Sequence, residues 1–109
     1  MAWLLVEDQV VAAVEVANTR GARRRGLLGR RGIEGAMLLS PARSVHTVGM
    51  RFAIDVAHLD SDMRVLTVAS MKPGRVGRVV WRARHVLEAE AGSFQRFGIS
   101  SGVRVEVRS

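Results

Sequence analysis

Val103, Val105 and Val107 alternate with Arg104, Glu106 and Arg108. A period of two is that of a strand with one face buried and the other in water. The other apolar residues also come in short runs broken by turn formers. Residues 4–6 and 10–16, separated by Glu7-Asp8-Gln9, read as a hairpin-like strand pair. Residues 36–39, 65–70 and 83–89 read as strands, and β-branched side chains favour the second of these. Residues 45–50 and 52–59 read as extended segments. Asp60-Ser61-Asp62 reads as a turn, because these short polar side chains bond their own backbone.

One main helix is predicted from Arg20 to about Gly29, capped by Asn18 or Thr19. At about 100° per residue, Ala22, Gly26 and Gly29 share one side, where they let the backbone approach a sheet. Arg20, Arg24 and Arg31 lie opposite and are expected in solvent, whereas Arg25 flanks the small-residue side and is expected to be more buried. Residues 71–81, with Pro73, Gly74 and Gly77, read as a mobile loop, and residues 92–98 as a short turn or helix.

Seven or eight strands with so little helix exclude a doubly wound fold, which needs a crossover helix between successive parallel strands. The expected class is α+β: a single small domain over residues 1–109, with a mostly antiparallel, strongly curved, barrel-like sheet and one main helix packed on it. Closure of that kind removes vulnerable edges. A chain of 109 residues, 48% hydrophobic and 25% charged, can build one core and is not a disordered one. The absence of cysteine removes disulfide and zinc-thiolate frameworks. The apolar opening runs straight into Glu7-Asp8, and no apolar run approaches the roughly 20 residues of a membrane span. The expectation is a cytoplasmic protein with no transmembrane segment.

Seventeen Lys and Arg against ten Asp and Glu give a net charge of +7, and Lys72 is the one lysine. Arginines group within residues 20–31 and again within 75–84. Such charge favours phosphates, acidic protein surfaces or anionic lipid without choosing among them. The aromatic residues number only two Trp and three Phe, few for the stacking platforms of single-strand nucleic-acid binders.

Three separated segments carry a resemblance: Asn18-Thr19 followed by Arg25-Gly26-Leu27-Leu28-Gly29-Arg30, the stretch from Ser44 to Val56, and Val86-Leu87-Glu88-Ala89 with Ala91-Gly92. Their order and spacing resemble the bacterial and archaeal family called domain of unknown function 192. That family's central motif is a serine, two aromatics, Met-Lys-Asn-Thr, then Leu-Asp-Ile. Asp55 matches its aspartate and Ile54 the aliphatic residue before it, whereas His46 replaces an aromatic and Gly49-Met50 replaces Asn-Thr. The chain therefore looks like a His-Thr-x-Gly-Met variant branch. The resemblance implies a small α+β or barrel-like domain and transfers no activity.

The candidate binding residues are His46, Thr47, Met50, Asp55, Arg25 and Glu88. Asp55 is set among Phe52, Ala53, Ile54, Val56 and Ala57, and a buried carboxylate there needs a partner. Arg25 or Arg51 is the obvious one, because guanidinium pairs bidentately with carboxylate, and a hydroxyl or backbone amides are the other expected donors. Such a pair either fixes helix to sheet or belongs to a polar site with His46 and Thr47. Glu88, after Val86-Leu87, carries the same ambiguity. Residues 71–81 are the expected movable cover of any such site. Ser44, His46 and Asp55 lack the strand-turn-helix elbow of a nucleophile. His46 and Met50, about 13 Å apart along a regular strand, do not suit one metal ion, and methionine is more often core filler. His58 and His85 read as satisfied structural histidines. No metal and no cofactor are expected.

The leading reading is a non-catalytic accessory domain that binds a small molecule or a protein partner through a polar site around His46 and Asp55. A nucleic-acid or anionic-surface binder acting through the arginine cluster is the alternative, and an enzyme of unassigned chemistry the third.

Overall fold

The computed structural model describes all 109 residues. In chain order the elements are β1 (Ala2–Val6), β2 (Gln9–Ala17), α1 (Arg20–Arg25), β3 (Ala36–Leu39), β4 (Ile54–Leu59), β5 (Val65–Met71), β6 (His85–Glu90), α2 (Ser93–Phe97) and β7 (Val105–Arg108). The strands form one sheet in the order β5-β4-β6-β3-β2-β1-β7. Its terminal alternation is as expected: Val105 is buried, Val103 and Val107 half-buried, and Arg104, Glu106 and Arg108 exposed.

The sheet is mixed rather than uniformly antiparallel. Every neighbouring pair is antiparallel except β2 with β3, which run parallel in the register Val14↔Ala36 to Ala17↔Leu39. The segment carrying α1 returns the chain from the end of β2 to the start of β3, the crossover that parallel pairing requires. Gly35 ends this return at φ +79, and a Cβ there would lie 2.3 Å from the Ala13 carbonyl oxygen. Only glycine fits that approach.

The sheet curls into a half-barrel. Its two edge strands meet at one end, where Arg64 bridges Arg104 and the Val65 N–H donates to the Val103 carbonyl at 2.8 Å. One core fills the inside of the curl, built on Leu4, Leu38, Leu59, Leu87, Phe94 and Val105. A second lies on the other face under α1, built on Leu27, Met37, Leu39, Met50, Ile54 and Val56. The interior strands β4 and β6 are therefore buried on both faces along most of their length. Asp55, His58 and Glu88 are their buried polar residues.

The helix expected from Arg20 to about Gly29 is shorter, Arg20–Arg25, and the turn or helix expected at 92–98 is a second short helix, Ser93–Phe97. Thr19 caps α1, its hydroxyl accepting from the Ala22 N–H at 3.1 Å. The helix then stops at Arg25, because Gly26 turns to φ +47. Arg20, Arg24 and Arg31 are exposed as the helical phase implies, but Arg25 is exposed too. With the helix ending at Arg25, the extended small-residue face that would have sheltered its side chain never forms.

Candidate functional site

The period of two decides where the candidate residues go. On β4, Asp55, Ala57 and Leu59 face the inner core, while Ile54 and Val56 face the outer one. On β6, Leu87 and Ala89 face inward and Val86 outward, so Glu88 points outward beneath α1. Asp55 and Glu88 thus leave the sheet on opposite sides.

Asp55 is 5% exposed, and its carboxylate is fully engaged. Ser70 Oγ donates to Oδ1 at 2.8 Å, and the backbone N–H groups of Gly92 and Phe94 donate to Oδ2 at 2.9 and 3.0 Å. Of the expected donors, a hydroxyl and two backbone amides hold Asp55, and neither Arg25 nor Arg51 does; both arginines are exposed. Asp55 ties β4 to β5 and to the start of α2. It shares no cleft with His46, and Ser44, His46 and Asp55 form no relay.

Thr47 is sealed, at 0% exposure. Its Oγ1 donates to the Lys72 carbonyl at 2.6 Å and accepts from the Arg75 N–H at 2.8 Å. Its own N–H donates to the Arg75 carbonyl at 2.7 Å, and Gly77 N–H and Val80 N–H donate to Val45 and Arg43. Residues 72–80 are therefore a strap stitched to residues 43–47, not the free cover expected from their glycines. The predicted extended segment at 45–50 reduces to a single bridge between His46 and Val76.

Four of the six candidates come together. Arg25, His46, Met50 and Glu88 line one cleft of about 180 Å³ between the end of α1 and the outer face of the sheet, with Arg23, Arg24, Leu27 and Ser44 among its other walls. Glu88 is the cleft's buried acid, 3% exposed. It sits under the cap of α1, since a Cβ on Gly26 would lie 3.8 Å from Glu88 Oε1. Val56 and Met37 flank it across the sheet, and neither offers a strong donor. Burial alone pushes its carboxyl up to about 7, because the charged form loses water and gains no partner. Arg24 and Arg25 enter no ion pair, whereas Arg23 is held by the carbonyls of Asn18 and Ser40 at 3.1 and 3.3 Å. The result is a proton-poised carboxyl in the cleft wall with fixed and free cations around it. The guanidinium groups of Arg23 and Arg24 at this site were not singled out from the sequence, although their place just before Gly26 at a helix end is the signal that marks them.

The remaining histidines divide. His85 Nδ1 lies 2.7 Å from Ser40 Oγ, and His58 Nδ1 lies 3.0 Å from Thr67 Oγ1. His58 Nε2, however, is buried without a hydrogen-bond partner. Burial first, and Arg78 second, lower the His58 pKa below the usual imidazole value. A larger hollow of about 950 Å³ opens between β7 and the β1–β2 turn. Its acidic side chains, Glu7, Asp8, Asp62 and Glu106, are all exposed, so it holds no buried polar group to fix a ligand. No helix is long and apolar enough to cross a membrane.

A family profile, that of domain of unknown function 192, described as uncharacterized ACR, matches residues 3–107. A crystal structure of a protein of unknown function from Novosphingobium aromaticivorans superposes with a TM-score of 0.80 at 22% identity, covering 96% of this chain and 82% of that one. A second, from Sinorhizobium meliloti and described as a candidate transcription regulator, gives 0.72 at 22% identity, covering 97% of this chain and 91% of that one. At that identity the likeness is one of fold. Among curated proteins, none matches.

Proposed function

From a chain that belongs to the domain of unknown function 192 family, we propose a non-catalytic binding module whose ligand is a small zwitterion of amino-acid type, held in the Glu88 cleft. The observation that carries this reading is a buried carboxyl with no partner lining a cleft walled by arginines. A buried polar group without a partner loses its water and gains nothing, so a ligand that supplies the missing donor gains affinity there. A cationic nitrogen of the ligand faces Glu88, and its carboxylate faces Arg24 and Arg25, which pair well with planar anions. His46 and Met50 shape the wall between them. At about 180 Å³ the cleft is smaller than the roughly 300–1,000 Å³ of sites that enclose drug-sized ligands.

Thermal shift against the free amino acids, with matched amines lacking the carboxylate and N-acetyl derivatives lacking the cation, tests this. A ligand at about 100 times its Kd stabilises the fold it binds by about 2.7 kcal/mol, a shift of several degrees for a domain of this size. The intact zwitterion alone is expected to give it, and Glu88→Gln and His46→Ala to lose it. A panel without any shift, or a shift that survives Glu88→Gln, contradicts the reading. Salt-sensitive retention on DNA in place of a zwitterion response favours the arginine faces as a nucleic-acid surface instead.

A further inference from the structure

The two edges of the sheet are built differently. β7 has four residues, and two of them, Glu106 and Arg108, form an ion pair at 2.8 Å. β5 has seven residues, Val-Leu-Thr-Val-Ala-Ser-Met, with no charge and no proline. Its outer edge is met only at Val65 and Leu66, where Gly102, Val103 and the Ser101 hydroxyl bond it. From Thr67 to Met71 it pairs with β4 on one side and with no strand on the other. Proteins usually blunt such an edge by charge, proline or shortness, and β5 has none of the three.

Beside this open edge runs a groove of about 470 Å³, between β5 and the strap. Val56, Met71 and Val76 give it apolar walls, while Lys72, Arg75 and Arg78 line it with positive charge and no carboxylate lines it. None of the three cations is in an ion pair. The groove shares no residue with the Glu88 cleft, so it stands or falls separately.

We propose that β5 and this groove receive an extended acidic segment of a partner protein, added to the sheet as an eighth strand. Main-chain groups of the segment pair with the free edge between Thr67 and Met71, as in other strand-addition complexes. Alternate side chains then point to opposite faces: acidic ones on the groove side reach Lys72, Arg75 and Arg78, which line it, and apolar ones on the other side cover the exposed Val68. A second copy of this chain is a poor occupant, because pairing β5 with β5 brings two sets of the same three cations together on a chain of charge +7.

The test is fluorescence anisotropy with a library of eight-residue peptides in which apolar residues alternate with Asp or Glu, beside a library with Lys at the acidic positions. Acidic peptides are expected to bind, more weakly as salt rises, and to slow amide hydrogen exchange across Thr67 to Met71. Arg75→Glu/Arg78→Glu is expected to weaken them at least ten-fold and to admit the lysine peptides. Should that variant fail to fold, Arg75→Gln/Arg78→Gln carries the same comparison with a smaller loss. Any of four results overturns the proposal: no acidic peptide binds, binding leaves exchange in β5 unchanged, sedimentation shows a dimer joined through β5, or anionic vesicles or DNA bind through these arginines while the peptides do not.

Discussion

Asp55 and Glu88 lie on adjacent interior strands of the sheet, one register step apart, with side chains on opposite faces: Asp55 is opposite Ala89, and Glu88 is opposite Val56. Both are buried. Asp55 accepts three hydrogen bonds, and Glu88 is left to burial alone. One acid holds the fold together, and the other is held by the fold at a cost.

Removing the Asp55 carboxylate strands two backbone amides and a hydroxyl. Asp55→Ala is expected to destabilise by roughly 3 kcal/mol or more, the scale for breaking a buried charged network. Asp55→Asn is milder. Its oxygen still accepts from Gly92 and Phe94, and its amide donates to Ser70 once the hydroxyl turns to accept. Chemical denaturation of both variants checks the order, and an unchanged midpoint in Asp55→Ala rules out the structural role.

Glu88 gives stability a pH dependence of definite sign. Its folded pKa of about 7 is above the ordinary glutamate value of 4.5. The stability that its protonation preserves is complete below about 4.5, falls as pH rises, and is gone above about 7. That interval, at about 1.4 kcal/mol per pH unit, corresponds to roughly 3 kcal/mol. His58, lowered by burial, acts oppositely: its contribution is present above 6.5 and lost as pH falls through its folded pKa. Comparing wild type with Glu88→Gln from pH 4 to 8 cancels the histidine. The variant is expected to gain relative stability steadily up to about pH 7, and parallel curves contradict the account.

Thr47 is the pin of the strap. Thr47→Val keeps the shape but leaves the Lys72 carbonyl and the Arg75 N–H without their hydroxyl, a loss of about 1–3 kcal/mol. Hydrogen exchange in residues 72–78 is expected to rise well above that in β6. Equal protection in wild type and variant shows that the backbone bonds suffice without it.

Arg24 is exposed and unpaired. Arg24→Glu is expected to move stability by less than about 0.5 kcal/mol, as surface changes do, while weakening the zwitterion several-fold. A large loss of stability places Arg24 in the packing and removes it from the site.

Local pattern made the strands legible. The valines at 103, 105 and 107 face inward as their spacing implies, and Thr19 caps the helix that its oxygen announces. What escaped depends on contacts distant in the chain. Asp55 and Glu88 look alike as acids in apolar strands, yet the partners that separate them lie 15, 37 and 39 residues from Asp55. The parallel pairing of β2 and β3 rests on a crossover with only six helical residues, too short to register as a βαβ unit. The glycines of the strap suggested mobility, whereas Gly77 is there because a Cβ would meet the Val45 carbonyl oxygen at 2.8 Å.

On the proposed reading, Glu88 is a proton-poised carboxyl awaiting a cationic partner. Carbon-13 NMR titration of the Glu88 side-chain carboxyl tests it, alone and with whichever amino acid raises the melting temperature. A midpoint near 7 is expected in the free protein, lowered when the ligand's cation arrives. A midpoint at the ordinary glutamate value of 4.5, or one that a bound amino acid leaves unmoved, contradicts this reading.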